Sequence, residues 1–105
     1  MNKLIITVVG KDTVGIIARV CTYLADKHVN ILDISQTIVQ DYFNMMMIVD
    51  MTNSARPFEE LSRDLGKIGE EIGVMIKCQR DFYQYASYIR MAVTKRSKRR
   101  QGEYD

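Results

Sequence analysis

Leu4-Ile-Ile-Thr-Val-Val9 opens the patterned part of the chain, and Gly10-Lys-Asp stops it abruptly. A short run rich in β-branched side chains and closed by glycine predicts a buried strand. Asp12 then stands where a carboxylate accepts backbone N–H groups that a first helical turn leaves unpaired, and Val14, Ile17, Cys21, Leu24 and Ala25 recur at helical spacing. Lys27 and His28 suit the C-terminal end of that helix. From Asn30 a second apolar segment runs to Val39, Gln40-Asp41 interrupts it, and Phe43 to Met51 comes directly after. This pattern predicts a hairpin of two long strands.

The same order then returns in part. Thr52-Asn-Ser-Ala-Arg-Pro57 carries a capping residue and a proline suited to a first helical turn, and Phe58, Leu61, Leu65, Ile68 and Ile72 form a one-sided stripe. Glu59, Glu60, Arg63, Asp64, Lys67, Glu70 and Glu71 occupy the other side. Gly66 and Gly69 each cost about 1 kcal/mol relative to alanine inside a helix, and are expected to permit close packing on a sheet. Gly73 ends the helix, and Val74 to Gln79 alternates as a last strand. Strand, helix, strand, strand, helix, strand closes most simply into one four-stranded antiparallel sheet with both helices on one face. The predicted class is therefore α+β, a ferredoxin-like βαββαβ plait.

Beyond Arg80, Asp81 is placed to cap a third helix in which Phe82, Tyr85, Ala86, Ile89 and Val93 share one face, ahead of Lys95-Arg-Ser-Lys-Arg-Arg100. The expected division is a domain over residues 1–80 and an extension over 81–105 with a short helix and a basic end. At 105 residues the chain suits one core, and 47% apolar with 27% charged residues excludes wholesale disorder. The net charge of +2 is uneven: residues 1–80 hold nine Lys/Arg against ten Asp/Glu, residues 81–105 six against three. Lys95, Arg96, Lys98, Arg99 and Arg100 read first as a solvated end, and would also attract nucleic acid or another anionic surface in a salt-dependent way. The sequence shows no helix-turn-helix to read bases.

No apolar stretch approaches the roughly 20 residues of a membrane helix, and Leu4–Val9 is too short for a signal peptide. A cytoplasmic protein without a membrane partner is expected. Cys21 and Cys78 lack CxxC or histidine spacing and read as reduced core thiols, so neither a metal nor a cofactor is implied. His28 is the single histidine, and spacing ties no serine or cysteine to it, which argues against an enzyme. The third strand holds methionines 45, 46, 47 and 51 where an RNA-recognition plait would hold stacking aromatics. They read as core or dimer packing. A four-stranded sheet has a second face, which needs self-association or cover from the extension.

Gly10-Lys-Asp-Thr-Val-Gly-Ile16, followed by a helix and then Val29-Asn-Ile-Leu-Asp33, resembles the ACT domain family. The stretch "VNILDISQTI" is especially similar to short free-standing ACT proteins of bacteria and archaea, whose functionally named kin are glycine-cleavage-type transcriptional regulators. The resemblance covers about residues 1 to 80. It implies a small-molecule sensor in amino-acid metabolism, dimeric through its first helices, binding an amino acid between the first loop and the start of strand two and signalling to an effector protein. Carried over by position, Gly10, Lys11, Asp12, Thr13, Val14, Gly15 and Ile16 form the loop, with Asn30 and Ile31 facing it.

Elementary chemistry is compatible with that role. Glycine at 15 admits close approach of a ligand, helix N–H groups attract a carboxylate, and Asp12 and Asn30 supply acceptors for an ammonium group. The same residues also read as plain structure: Asp12 a cap, Gly10 and Gly15 turn or packing glycines, Asn30 a turn residue. Likewise the protein reads as a ligand-free interaction module if the loop is only structural. His28 stands where relatives often have glycine, and a left-handed backbone there would cost roughly 1 kcal/mol.

Overall fold

β1 (Lys3–Lys11) pairs antiparallel with both of its neighbours, β3 (Tyr42–Asp50) and β4 (Val74–Gln79), while β2 (Asn30–Val39) adds to the outer edge of β3. The sheet order is β2-β3-β1-β4, with α1 (Ile16–Asp26) and α2 (Phe58–Ile72) as the crossovers. This is the ferredoxin-like plait. The structure is a computed structural model that describes residues 2–11 and 14–80. The third helix and basic run expected beyond Arg80 lie outside the described residues.

Alternation places Leu4, Ile6 and Val8 of β1 beside Phe43, Met45, Met47 and Val49 of β3 on one face. Against them pack Ile16, Val20 and Leu24 from α1 and Leu61, Leu65 and Ile68 from α2. Burying side chains of this size contributes about 1.5–3 kcal/mol each relative to exposure, so this single interface dominates the stability of the domain. Met45, Met47 and Met51 belong to this core, as expected, whereas Met46 points to the opposite face beside Thr7. Cys21 and Cys78 are free thiols packed at the core margin.

Three local features differ from the sequence expectation. First, α1 begins at Ile16 with Gly15 in the N-cap position at φ 88°, three residues past Asp12, which lies outside the described residues. The apolar periodicity counted from Val14 therefore started on a residue outside the helix. Val14 is fully exposed and Ile17 is 37% exposed, and the buried line is Ile16, Val20, Leu24. Second, β1 extends through Gly10 and Lys11, which are strand residues rather than loop. Third, only one of the two glycines in α2 is there for close packing. A Cβ at Gly69 would sit 2.6 Å from the Val74 carbonyl oxygen, whereas at Gly66 it would meet nothing within 4 Å.

The remaining boundaries agree with the pattern. The β2–β3 hairpin turns on Gln40 and Asp41, both with positive φ (49° and 70°), the conformation that suits a two-residue connection between twisted strands. Pro57 is the N-cap of α2, and Gly73 closes it in the left-handed conformation at φ 77°. The α2 stripe is as read: Leu61, Leu65 and Ile68 are buried, with Phe58 and Ile72 packed at its margin.

Candidate functional site

The connection between β1 and α1 is built from residues whose backbone does most of the work. Gly10 is held by its neighbour strand, since a Cβ there would lie 2.8 Å from Val74 Cγ1. Gly15 needs glycine for a different reason. Its positive φ is strained for any L side chain, while the space around it is open, with nothing within 4 Å of a built Cβ. The space over Gly15 is open among the described residues.

At this point α1 presents its N-terminus. Among the described residues no side chain caps it, and no acidic residue occupies its first turn, in contrast to α2, whose first turn holds Glu59 and Glu60. The Arg19 N–H is bonded to the Gly15 carbonyl, the first bond of the helix, so the amides ahead of it in the turn have no partner within the helix itself. Such an end carries partial positive charge. Around it, Val14 is exposed, Lys11 is exposed at the strand end opposite Tyr42, and the Ile16 side chain is 2% exposed and belongs to the core. Asp12 and Thr13 lie outside the described residues.

Asn30 and Ile31 do not face this loop within one chain. The strand register aligns Asn30 with Asp50, and Asp50 with Lys3, at one end of the sheet, whereas Gly10 aligns with Phe43 and Phe43 with Ile38 at the other. Seven positions of β1 separate those rows, about 23 Å at 3.3 Å per residue. Within one chain the loop and Asn30 thus lie at opposite ends of the sheet. The reason is topological: β2 starts where α1 ends, and a crossover helix returns the chain to the end of the sheet from which β1 set out. Asn30 is exposed, and Ile31 is half-buried against the core.

His28 does adopt the left-handed conformation, at φ 61°, just past the C-cap Lys27, with its N–H on the Ala25 carbonyl. Around the Asn30 end sits a carboxylate that pattern reading passed over. Asp50 Oδ1 accepts from Thr52 Oγ1 at 2.6 Å, the Thr52 amide at 3.0 Å and the Asn2 amide at 3.3 Å. Those donors, Thr52 foremost, hold its carboxyl below the usual range. Asp-Met-Thr at 50–52 is the available signal, an acid two residues before a hydroxyl, as in Asx turns.

A second cluster ties the helices. Tyr23 on α1 donates to Asp64 on α2, and Arg56 approaches the same carboxylate, with Nε 2.8 Å from Oδ2. That Nε–H is not aligned for a hydrogen bond; the one Arg56 makes to this carboxylate runs from Nη2 to Asp64 Oδ1 at 3.4 Å. The Tyr23 bond lowers the Asp64 carboxyl, while burial and that same bond push the Tyr23 phenol well above its ordinary value. Cys78 is pushed up to about 11 by burial, which leaves little thiolate at neutral pH. Among the described residues no group of side chains has the composition of a metal site, and no helix is long and apolar enough to cross a membrane.

With the plait and the open glycine turn in place, comparison with known proteins decides the family. The sequence profile of the ACT domain matches residues 2–79. The chain belongs to the ACT domain family. Among its relatives, a UPF0237 protein from Bifidobacterium longum is 63% identical over 81 residues, covering 77% of this chain and 90% of the relative. An ACT domain protein from Streptococcus pneumoniae superposes with a TM-score of 0.66 at 42% identity, covering 73% of this chain and 86% of that one. The regulatory subunit of aspartate kinase from Thermus thermophilus shares the fold at 23% identity and a TM-score of 0.59, over 76% of this chain and 52% of that one. Lys95, Arg96, Lys98, Arg99 and Arg100 lie beyond both the matched segment and the described residues.

Proposed function

We propose that this ACT domain protein is a regulatory sensor that binds an amino acid at an interface between two copies and passes the bound state to an effector protein. The observation that carries the reading is the α1 N-terminus, open above Gly15 and, among the described residues, with neither a capping side chain nor an acid in its first turn. An amino-acid carboxylate supplies an acceptor for the amides of that first turn. The ammonium end of the same molecule needs acceptors, and Asn30 is the expected one. Because Asn30 lies at the far end of its own sheet, the Asn30 that joins this loop is that of a second copy. Ligand binding then favours one arrangement of two subunits, which is the differential affinity that a regulatory response requires. The role is one of binding, not catalysis, in the cytoplasm.

The edge strand β2 favours a second reading, a ligand-free interaction module. Leu32, Ile34, Ile38 and Val39 are each at least 39% exposed along it. A protein partner or a second copy covers such a strand without any small molecule.

A thermal-melt screen of the purified protein against the twenty amino acids, each at millimolar concentration, separates the two. A ligand at 100 times its Kd stabilises the fold by about 2.7 kcal/mol, a rise of many degrees in a domain this size. A selective rise that disappears in Asp12→Ala and in Asn30→Ala is the expected result. A transition that no amino acid moves leaves the interaction module as the function.

A further inference from the structure

Ile5 and Val9 stand on the same face of the same central strand, the face turned away from both helices, yet Ile5 is 2% exposed and Val9 46%. Neither belongs to the core cluster between sheet and helices. Their cross-strand neighbours explain little of the contrast: Ile5 lies between Ile48 and Gln79, Val9 between Asn44 and Met75. The burial is graded along the sheet. Thr7, Met46 and Ile48 are half-buried toward the Ile5 end, while Met75 at 72% and Tyr42 at 62% are open toward the Val9 end. An apolar patch of this kind, Ile5 with Met46 and Ile48, is stable in water only under a cover.

The chain itself leaves the sheet at that end. Gln79, the last residue of β4, is the partner of Ile5, and Arg80 is anchored by its guanidinium 4.6 Å from the centre of the Phe58 ring. The sequence beyond it has the pattern of an amphipathic helix, with Phe82, Tyr85, Ala86, Ile89 and Val93 at helical spacing. Twelve residues, 82 to 93, span about 18 Å as a helix, against about 14 Å across four strands. We infer that residues 82–93 of the same chain dock by this apolar face across the open sheet face over Ile5, Met46 and Ile48. The extension is then part of the folding unit, and it leaves α1, the β2 edge and the Val9 end free for self-association.

The protein has no tryptophan, so one introduced indole reports on its own surroundings. In full-length Tyr85→Trp the expected emission is blue-shifted relative to the unfolded chain, and in Ser87→Trp, on the polar side, it is close to the unfolded value. Adding Ile48→Lys to the Tyr85 reporter moves its emission to the red while far-ultraviolet circular dichroism stays that of the folded protein; Thr7→Lys makes the same test should Ile48→Lys fail to fold. Equal, solvent-like emission from both reporters overturns the proposal, as does a Tyr85→Trp signal indifferent to the sheet substitutions. Cross-linking an equal mixture of ¹⁵N-labelled and unlabelled protein identifies the occupant. Cross-links between residues 81–105 and the domain that join peptides of a single isotope support docking within one chain; mixed-isotope pairs assign the face to a second copy and overturn it.

Discussion

Tyr23 on α1 donates its phenolic hydrogen to the Asp64 carboxylate on α2, so the two helices are joined by a directional bond as well as by the sheet beneath them. Replacing Tyr23 with phenylalanine keeps the ring and removes the donor, while Arg56 remains beside Asp64. The expected loss is about 1 kcal/mol, and with it a fall in Tm of about 4–8 °C. Thermal unfolding followed by circular dichroism checks this, and an unchanged Tm would show the bond to be absent in solution.

The two glycines of α2 predict opposite responses to the same substitution. Gly66→Ala adds a methyl group in open space and gains helix propensity, so it should stabilise by about 0.5–1 kcal/mol. Gly69→Ala drives a Cβ to within 2.6 Å of the Val74 carbonyl oxygen, backbone that cannot turn aside, and should destabilise by about 1–3 kcal/mol. Denaturant midpoints of the two variants, measured side by side, test the sign directly.

His28 carries a left-handed backbone at the end of α1. Glycine has no Cβ to clash there, and although it is freer in the unfolded chain, His28→Gly should still raise stability by about 0.5–1 kcal/mol. A lowered Tm would mean that the imidazole makes a compensating contact.

Both Asp50 and Asp64 have their carboxyls held below the usual carboxylate range, by the Thr52 and Tyr23 hydrogen bonds respectively. A folded pKa below the unfolded value of about 3.9 gives stability that is fully present above that value and lost as pH falls through the folded one. Tm should therefore be flat from about pH 7 to pH 5 and fall below about pH 4, with Asp50→Asn and Asp64→Asn each shallowing the acid limb. Tyr23 acts at the other extreme. Its raised pKa favours the neutral phenol, so its contribution is intact below the ordinary tyrosine value of about 10 and declines as pH rises beyond it.

Most of the fold was legible because its elements are long and strongly periodic: the α2 stripe from Phe58 to Ile72 and the β2–β3 hairpin were placed to within a residue or two. The start of α1 was not, because Asp12 is a good capping residue and competes on paper with Gly15, whose left-handed turn actually begins the helix. Propensity at one residue could not reveal which of them the tertiary structure uses. The site was legible only as a loop. That Asn30 starts its strand at the opposite end from Gly10 follows from the predicted crossover of α1, but the distance between them depends on register, a property of the assembled sheet.

The separation of Gly10 from Asn30 makes the proposed ligand site testable by mixing subunits. In a two-fold dimer whose sites each take the loop from one copy and Asn30 from the other, Asp12→Ala and Asn30→Ala each abolish both sites. In a heterodimer of the two variants, one site carries both substitutions and the other carries neither, because its loop comes from the Asn30→Ala chain and its asparagine from the Asp12→Ala chain. Refolding an equal mixture pairs about half of the chains as heterodimers, so about one quarter of the native binding stoichiometry should return. Calorimetric titration with the amino acid that shifts Tm reads that number. If the loop and Asn30 act within one chain, or if Asn30 plays no part in binding, the mixture recovers no more than the two variants do separately.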